Sequence, residues 1–345
     1  MRTKLILLAA IVLSSVSGLI AQDIHFSQFY MTPVQFNPSY AGALKELDVS
    51  MQYKGQWNMI DKGYRTLGAT VSSRINYKRG NPNFWAIGLT AFADQAAINK
   101  LNSLRINIPL CYTVKLNQLN SLSNAVYVGF GQNVLKDPNL TWGSQFDGMN
   151  YNSSLPTNET QFTQSFRFLD MGYGFSWNHN QQTRTVADEK GFSNSLGFSV
   201  GHLNRPMYSF NNNPSDKLDM KFSLYNSSSI YIKNSKISWH PSVLVQLQGG
   251  HREIMYGALC RYEIQQESRI TGFREGSAIS AGMYRRSKDA IVIAGLYEIN
   301  HFQIGMSYDM NTSALSNSTG YRGGFEILLK YITPSPFSGG GRSIF

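Results

Sequence analysis

From Glu46 to Ile332 the chain repeats one pattern: a strand-length run in which apolar and polar side chains alternate, then a stretch rich in Gly, Asn, Ser and Pro. In the first run Leu47, Val49, Met51 and Tyr53 share one face, and Asp48, Ser50, Gln52 and Lys54 the other. The fourth sets Leu104, Ile106, Ile108, Leu110, Tyr112 and Val114 against Arg105, Asn107, Pro109, Cys111, Thr113 and Lys115, with Pro109 removing one ladder hydrogen bond. The sixth sets Leu169, Met171, Tyr173, Phe175 and Trp177 against Asp170, Gly172, Gly174 and Ser176. One face suits lipid and the other water. The hydrocarbon of a bilayer leaves no backbone polar group unpaired, so strands cross it only as a closed barrel. The pattern predicts an all-β transmembrane antiparallel β-barrel of about fourteen strands, at 46–54, 64–75, 84–94, 101–116, 123–135, 164–178, 192–203, 217–232, 236–248, 252–264, 277–286, 289–298, 300–309 and 321–332. The final run, YRGGFEILLKYI, puts Phe325, Ile327, Leu329 and Tyr331 outward against Gly324, Glu326 and Lys330.

An even count returns both ends of the wall to the periplasm and places the connections after odd-numbered strands outside. The long polar stretches Lys136 to Thr163, Asn204 to Asp216 and Met310 to Gly320 fall there. Two segments run against this rule, since Asn178 to Gly191 and Gln265 to Gly276 read as long periplasmic connections.

Ahead of the wall, Met1 to Ala21 reads as a secretory signal: Arg2 and Lys4 are the basic region, Leu5 to Leu13 the apolar run, and cleavage is expected after Ala21. Residues 22–45 form an N-terminal arm that carries Phe26, Phe29, Tyr30 and Phe36 together with Pro33 and Pro38. It is too apolar to float free and too broken for a long helix. Wall side chains alone do not fill a barrel of this size, so the arm is the expected plug, docked on the periplasmic side or partly within the lumen. Residues 46–332 are then the barrel, and 333–345, rich in Pro, Ser and Gly, a flexible tail.

Charge narrows the partners. The formal net charge of +10 falls to +8 without Arg2 and Lys4, which suits outer-membrane lipid and anionic lipopolysaccharide or acidic proteins; no basic run is dense enough for nucleic acid. The six histidines lack metal-ligand spacing, and no nucleophile motif or phosphate loop is present. The sequence therefore predicts no catalytic residues, no cofactor, no metal and no enzyme. Cys111 and Cys260 read as two small apolar residues in distant strands rather than a bridge. Asp94, Asp170, Glu263, Asp309 and Glu326 are expected to mix with Arg74, Arg105, Arg261 and Lys330 as ion pairs inside the barrel.

Several distinctive stretches stand in order along the chain: HFSQFY and FNPSYAG in the arm, Gly55-Gln56-Trp57, GFSVGHLNRP from Gly197, His240-Pro241-Ser242, GMYRR from Gly282, GMSYDMNTSAL from Gly305, and GGFEILLKY. On these the chain resembles the PorP/SprF family, outer-membrane proteins associated with type IX secretion in Bacteroidota. The resemblance implies a cell-outer-membrane barrel that supports export or surface attachment of a secreted protein with a C-terminal sorting domain, such as a gliding adhesin. Periplasmic or outer-membrane secretion components are the further partners it implies. A passive channel for small or hydrophobic molecules is the alternative, because a fold does not fix a function. Partner contacts are expected on exposed aromatics among small polar residues: Phe26, Phe29, Tyr30, Phe36, Asn37 and Pro38 in the arm, and Trp142, Phe146, Tyr151, Tyr208 and Phe210 in the loops.

Overall fold

The computed structural model describes residues 25–56, 63–75, 82–96, 101–136, 141–158, 162–184, 189–265, 276–313 and 320–333. The strands are β1 (Leu47–Gln56), β2 (Tyr64–Ile75), β3 (Phe84–Ala96), β4 (Leu101–Lys115), β5 (Asn120–Leu135), β6 (Ser165–Arg184) and β7 (Glu189–Gly201). They continue as β8 (Lys221–Tyr231), β9 (Ile237–Gln248), β10 (His251–Gln265), β11 (Ser277–Arg286), β12 (Ala290–Ile299), β13 (Phe302–Asn311) and β14 (Arg322–Thr333). Each pairs antiparallel with its neighbours in sequence. The barrel closes where β1 meets β14, from Leu47 opposite Thr333 to Gln56 opposite Gly324.

The alternation read from the sequence is the wall's inside and outside. On β1, Met51 is 64% exposed outward whereas Ser50, Gln52 and Lys54 are buried inward. On β14, Phe325 and Leu329 face out while Glu326 and Leu328 face the lumen. Rings cluster outward where strands end: Trp85 lies 4.7 Å from Tyr112 and Phe302 4.9 Å from Tyr331, at the rim where β1 begins. Amphipathic rings at the ends of an apolar band are the interfacial girdle of a membrane barrel. Both cysteines are free. Cys111 points into the lumen, and Cys260, sharing parity with exposed Tyr256 and Tyr262, points out.

One expected anomaly is corrected. Asn178 to Gly191 is not a long periplasmic connection, because β6 and β7 stay paired out to Arg184 opposite Glu189. Polar residues such as Asn178, Asn180, Gln181 and Gln182 read as loop by composition, yet ladder pairing carries them as strand. Of Gln265 to Gly276, residues 266–275 lie outside the described residues, as do the expected signal segment and the tail from 334.

Candidate functional site: the filled lumen and its long-loop rim

The lumen holds the arm. Three single-turn helices, Phe29–Met31, Pro33–Gln35 and Pro38–Tyr40, follow one another, with prolines opening the second and third. Proline fits the first turn of a helix and forbids its continuation from the preceding one, which turns an apolar stretch into a compact, bent plug. Asn37 caps the third turn by accepting from Ser39 N at 3.0 Å. The same side chain donates to the carbonyls of Phe175 and Phe198 at 3.1 and 3.3 Å.

The arm runs the length of the lumen. Its C-terminal end lies at the rim where β1 begins, where Arg74 Nε donates to Gly42 O at 2.7 Å. Its other end lies near the opposite rim, which carries the long connections β5–β6 and β7–β8, with Lys54 Nζ donating to His25 O at 3.2 Å. Between these ends it touches the whole circumference. Phe29, fully buried, meets Tyr225 of β8 and Tyr284 of β11 edge-on at 6.2 and 5.4 Å, and Tyr30 stacks on Tyr284 at 4.8 Å. Cys111 Sγ reaches Ser39 O at 3.3 Å, and Ser199 Oγ donates to Phe36 O.

Near His25 the arm is locked by charge. Glu326 accepts from two consecutive backbone N–H groups, Ser27 N at 2.7 Å and Gln28 N at 2.9 Å. The Ser27 hydroxyl donates to Asp309 Oδ2 at 2.7 Å and accepts from Arg286 at 2.8 Å and Lys54 at 3.1 Å, which uses its full capacity. Arg286 also reaches Asp309 at 3.2 Å and Glu253 at 3.2 Å. Lower down, Lys330 bridges Asp48 and Met31 O at 2.7 and 2.6 Å. Glu253 favours the charged form of the His25 imidazole, but burial together with Arg286 and Lys54 outweighs it and holds the pKa at about 4, so His25 is neutral at pH 7.

The sequence anticipated an interior ion network and many of its members, but not their partners. Arg261 pairs with Glu298 at 3.2 Å and Arg74 with Glu46 at 3.5 Å. Asp170 takes His202 at 2.9 Å and Tyr127 at 3.0 Å, and Arg105 lies over the Phe168 ring. Lys54, Glu253 and Arg286 were missed as lock residues. The inward parity of Lys54 was legible, but its meeting with β10, β11 and β13 depends on barrel closure. Glu326→Ala leaves two buried N–H groups without an acceptor. At about 1–3 kcal/mol each, roughly 2–6 kcal/mol of arm docking is expected to vanish, read as a fall in the temperature at which the band shifts on SDS gels.

At the long-loop rim an aromatic ladder joins two connections. Trp142 meets Phe162 at 4.9 Å, Phe162 meets Phe210 at 6.1 Å, Phe210 meets Phe166 at 4.7 Å, and Tyr208 bridges Phe166 and Phe168 at 5.0 and 5.5 Å. Thr163 N donates to Phe210 O at 2.8 Å. The loop residues expected to meet a partner therefore divide: Trp142, Tyr208 and Phe210 pack the two loops together, whereas Phe146 and Tyr151 are exposed. Phe146 and Tyr151 pair across a tight turn, where N–H bonds from Asn150 and Met149 hold the Asp147 carboxyl below its usual pKa. Met149, 87% exposed between them, was missed because methionine gives no loop signal. The expected arm contacts Phe26, Phe29, Tyr30, Phe36, Asn37 and Pro38 all lie inside the barrel against the wall or the cavity beside it.

A cavity of about 90 Å³ remains between the arm and β3 to β9, lined by Arg105, Tyr127, Asp170, His202 and Lys221 among others. Among the described residues no cluster of three or more His, Cys, Asp or Glu is placed to hold a metal ion.

Among solved structures the chain is similar to the TodX ΔS2S3 monoaromatic hydrocarbon channel mutant, at 8% identity over 90% of this chain and 95% of that one, with a TM-score of 0.46. It is similar to the Ralstonia pickettii toluene transporter TbuX, at 10% identity over 86% and 91%, TM-score 0.43. A Pseudomonas aeruginosa FadL homologue matches at 10% over 86% and 92%, TM-score 0.41. At such scores these likenesses carry no argument about what the chain does. No curated protein matches it. The family model described as type IX secretion system membrane protein PorP/SprF matches residues 19–331, nearly the whole chain, and it describes a secretion-associated membrane protein rather than an enzyme class. The chain belongs to the PorP/SprF family of type IX secretion system membrane proteins.

Proposed function

We propose that this barrel supports export or surface attachment of a secreted protein with a C-terminal sorting domain by holding it at the long-loop rim, and that it does not conduct it. The observation that carries this reading is the arm: bonds to β1, β14 and β7 and ring contacts to β8 and β11 leave the lumen occupied by the chain's own residues. A filled barrel acts through its surfaces, and the two loops joined by the ladder present one such surface away from lipid. Cleavage after Ala21 places the mature N-terminus just ahead of His25. The long-loop rim then faces outside, as the longer connections of such barrels do.

Copurification of the full chain from native membranes tests the assignment: a secreted surface protein is expected to come with it, and recovery of the barrel with periplasmic proteins alone would move the contact to the other rim. Orientation is tested separately. In a background without Cys111 and Cys260, Met149→Cys, exposed at the long-loop rim, is expected to react with a membrane-impermeant maleimide on intact cells, whereas Leu44→Cys, exposed at the opposite rim, reacts only after permeabilisation. The reverse pattern refutes the placement.

A further inference from the structure

Between Phe192 and Val200 on β7 and between Phe222 and Ile230 on β8, the outward face is apolar except in one place. Asn194, Asn226 and Ser228 share parity with Leu196, Phe198, Leu224 and Ile230, all exposed on the outside of the wall, so they too point away from the lumen. They do not sit at a rim. Asn226 lies opposite Leu196 on β7 and Val243 on β9, and follows Leu224 on its own outward face. Towards the nearer rim, Phe192, Ile230 and Trp239 separate the three polar residues from water and headgroups. A polar island thus stands inside the band that should meet lipid tails.

Its internal bonds do not use it up. Asn194 Nδ2 donates to Ser228 Oγ at 2.8 Å and to Asn226 Oδ1 at 3.4 Å, and Asn226 Nδ2 donates to Asn194 Oδ1 at 3.3 Å. That leaves one Asn226 N–H and the Ser228 O–H donating to nothing among the described residues. Hydrocarbon offers such donors no acceptor, and polar groups on a membrane-facing surface are satisfied where another protein wall covers them.

We propose that β7 and β8 form a lateral interface in the membrane, covered by the same face of a second copy of this chain. An amide is donor and acceptor in one group, so this island is complementary to itself. A twofold arrangement lets each copy's Asn226 serve the other's and closes without leaving a further sticky face. Lipid headgroups cannot take this place, because the apolar ring holds them off. The inference is independent of what the loops bind.

The test uses the full chain in its native membrane, with a photo-crosslinking amino acid at position 226. A product of twice the chain's mass is expected, absent when the crosslinker stands at Met51, exposed on β1 seven strands round the barrel from β8. In detergent, Asn226→Leu is expected to convert a dimer to a monomer by light scattering while the barrel keeps its resistance to SDS, since leucine suits an outward strand position; Ser228→Ala should weaken the dimer less. A wild-type monomer at every concentration overturns the proposal. So does crosslinking to lipid alone or to a different protein, or an Asn226→Leu variant that loses heat resistance with no change in mass.

Discussion

Deleting Gln22 to Ala43 is expected to open the barrel: in a planar bilayer the intact chain passes no steady current and the shortened chain does. The wall should survive, because all fourteen strand pairings are made between strands and the arm contributes none of them. Nor does deletion bury an uncompensated charge. Lys54, Arg286, Asp309 and Glu326 lose Ser27 and Gln28, but water enters the emptied lumen and solvates them, whereas a point change under a docked arm leaves its orphans dry. A second variant expels the arm without removing it. A Cβ at Gly197 would stand 2.6 Å from Asn37 Nδ2 and 2.6 Å from Tyr40 Oη, so Gly197→Val drives the third turn off the wall and should give intermittent current at unchanged length. A large steady current from the intact chain would instead favour a passive channel.

Much of this site was legible before the fold, and the reason is periodicity. A strand's inside and outside follow from parity, which is why Glu326 and Lys330 could be placed in the lumen from Phe325, Ile327 and Leu329 alone. The arm's docking followed from its composition, since Phe26, Phe29, Tyr30 and Phe36 cannot stay in water. Its path did not. That the arm spans the lumen end to end depends on which wall groups meet Ser27 and Gln28, and their partners lie some three hundred residues away along the chain, joined only by closure of β1 on β14. The same limit hid the division among the loop aromatics. Trp142, Tyr208 and Phe210 look no different from Phe146 and Tyr151 in sequence, and only the juxtaposition of two loops with inward Phe166 and Phe168 makes the first three structural.

Shortening the tip Phe146 to Tyr151, with the ladder kept, is expected to abolish surface retention of the secreted partner. The tip is chosen because its exposed rings are held by a turn of their own: Phe146 and Tyr151 pair across Asp147 to Asn150, and Asp147 Oδ1 accepts from Met149 N and Asn150 N at 2.9 and 2.7 Å. Phe146, Met149 and Tyr151, exposed together on a turn whose backbone is held in place, form the kind of preorganised anchor that concentrates binding energy in few residues. Replacing Phe146, Met149 and Tyr151 together by serine should act like the deletion, since truncating one anchor of a hot spot typically costs on the order of 2 kcal/mol, a loss of more than tenfold in affinity. Trp142→Ala, Tyr208→Ala and Phe210→Ala act differently. They loosen the loop pair and are expected to reduce retention only in proportion to lost order of the tip, visible as faster proteolysis between 136 and 163. Each variant is to be scored only where the barrel still resists SDS until heated, so that assembly and binding are separated. If the partner remains on the surface at its normal level after loss of the tip, and also after shortening both 136–163 and 204–216, the long-loop rim does not hold it and the contact lies at the rim where β1 begins.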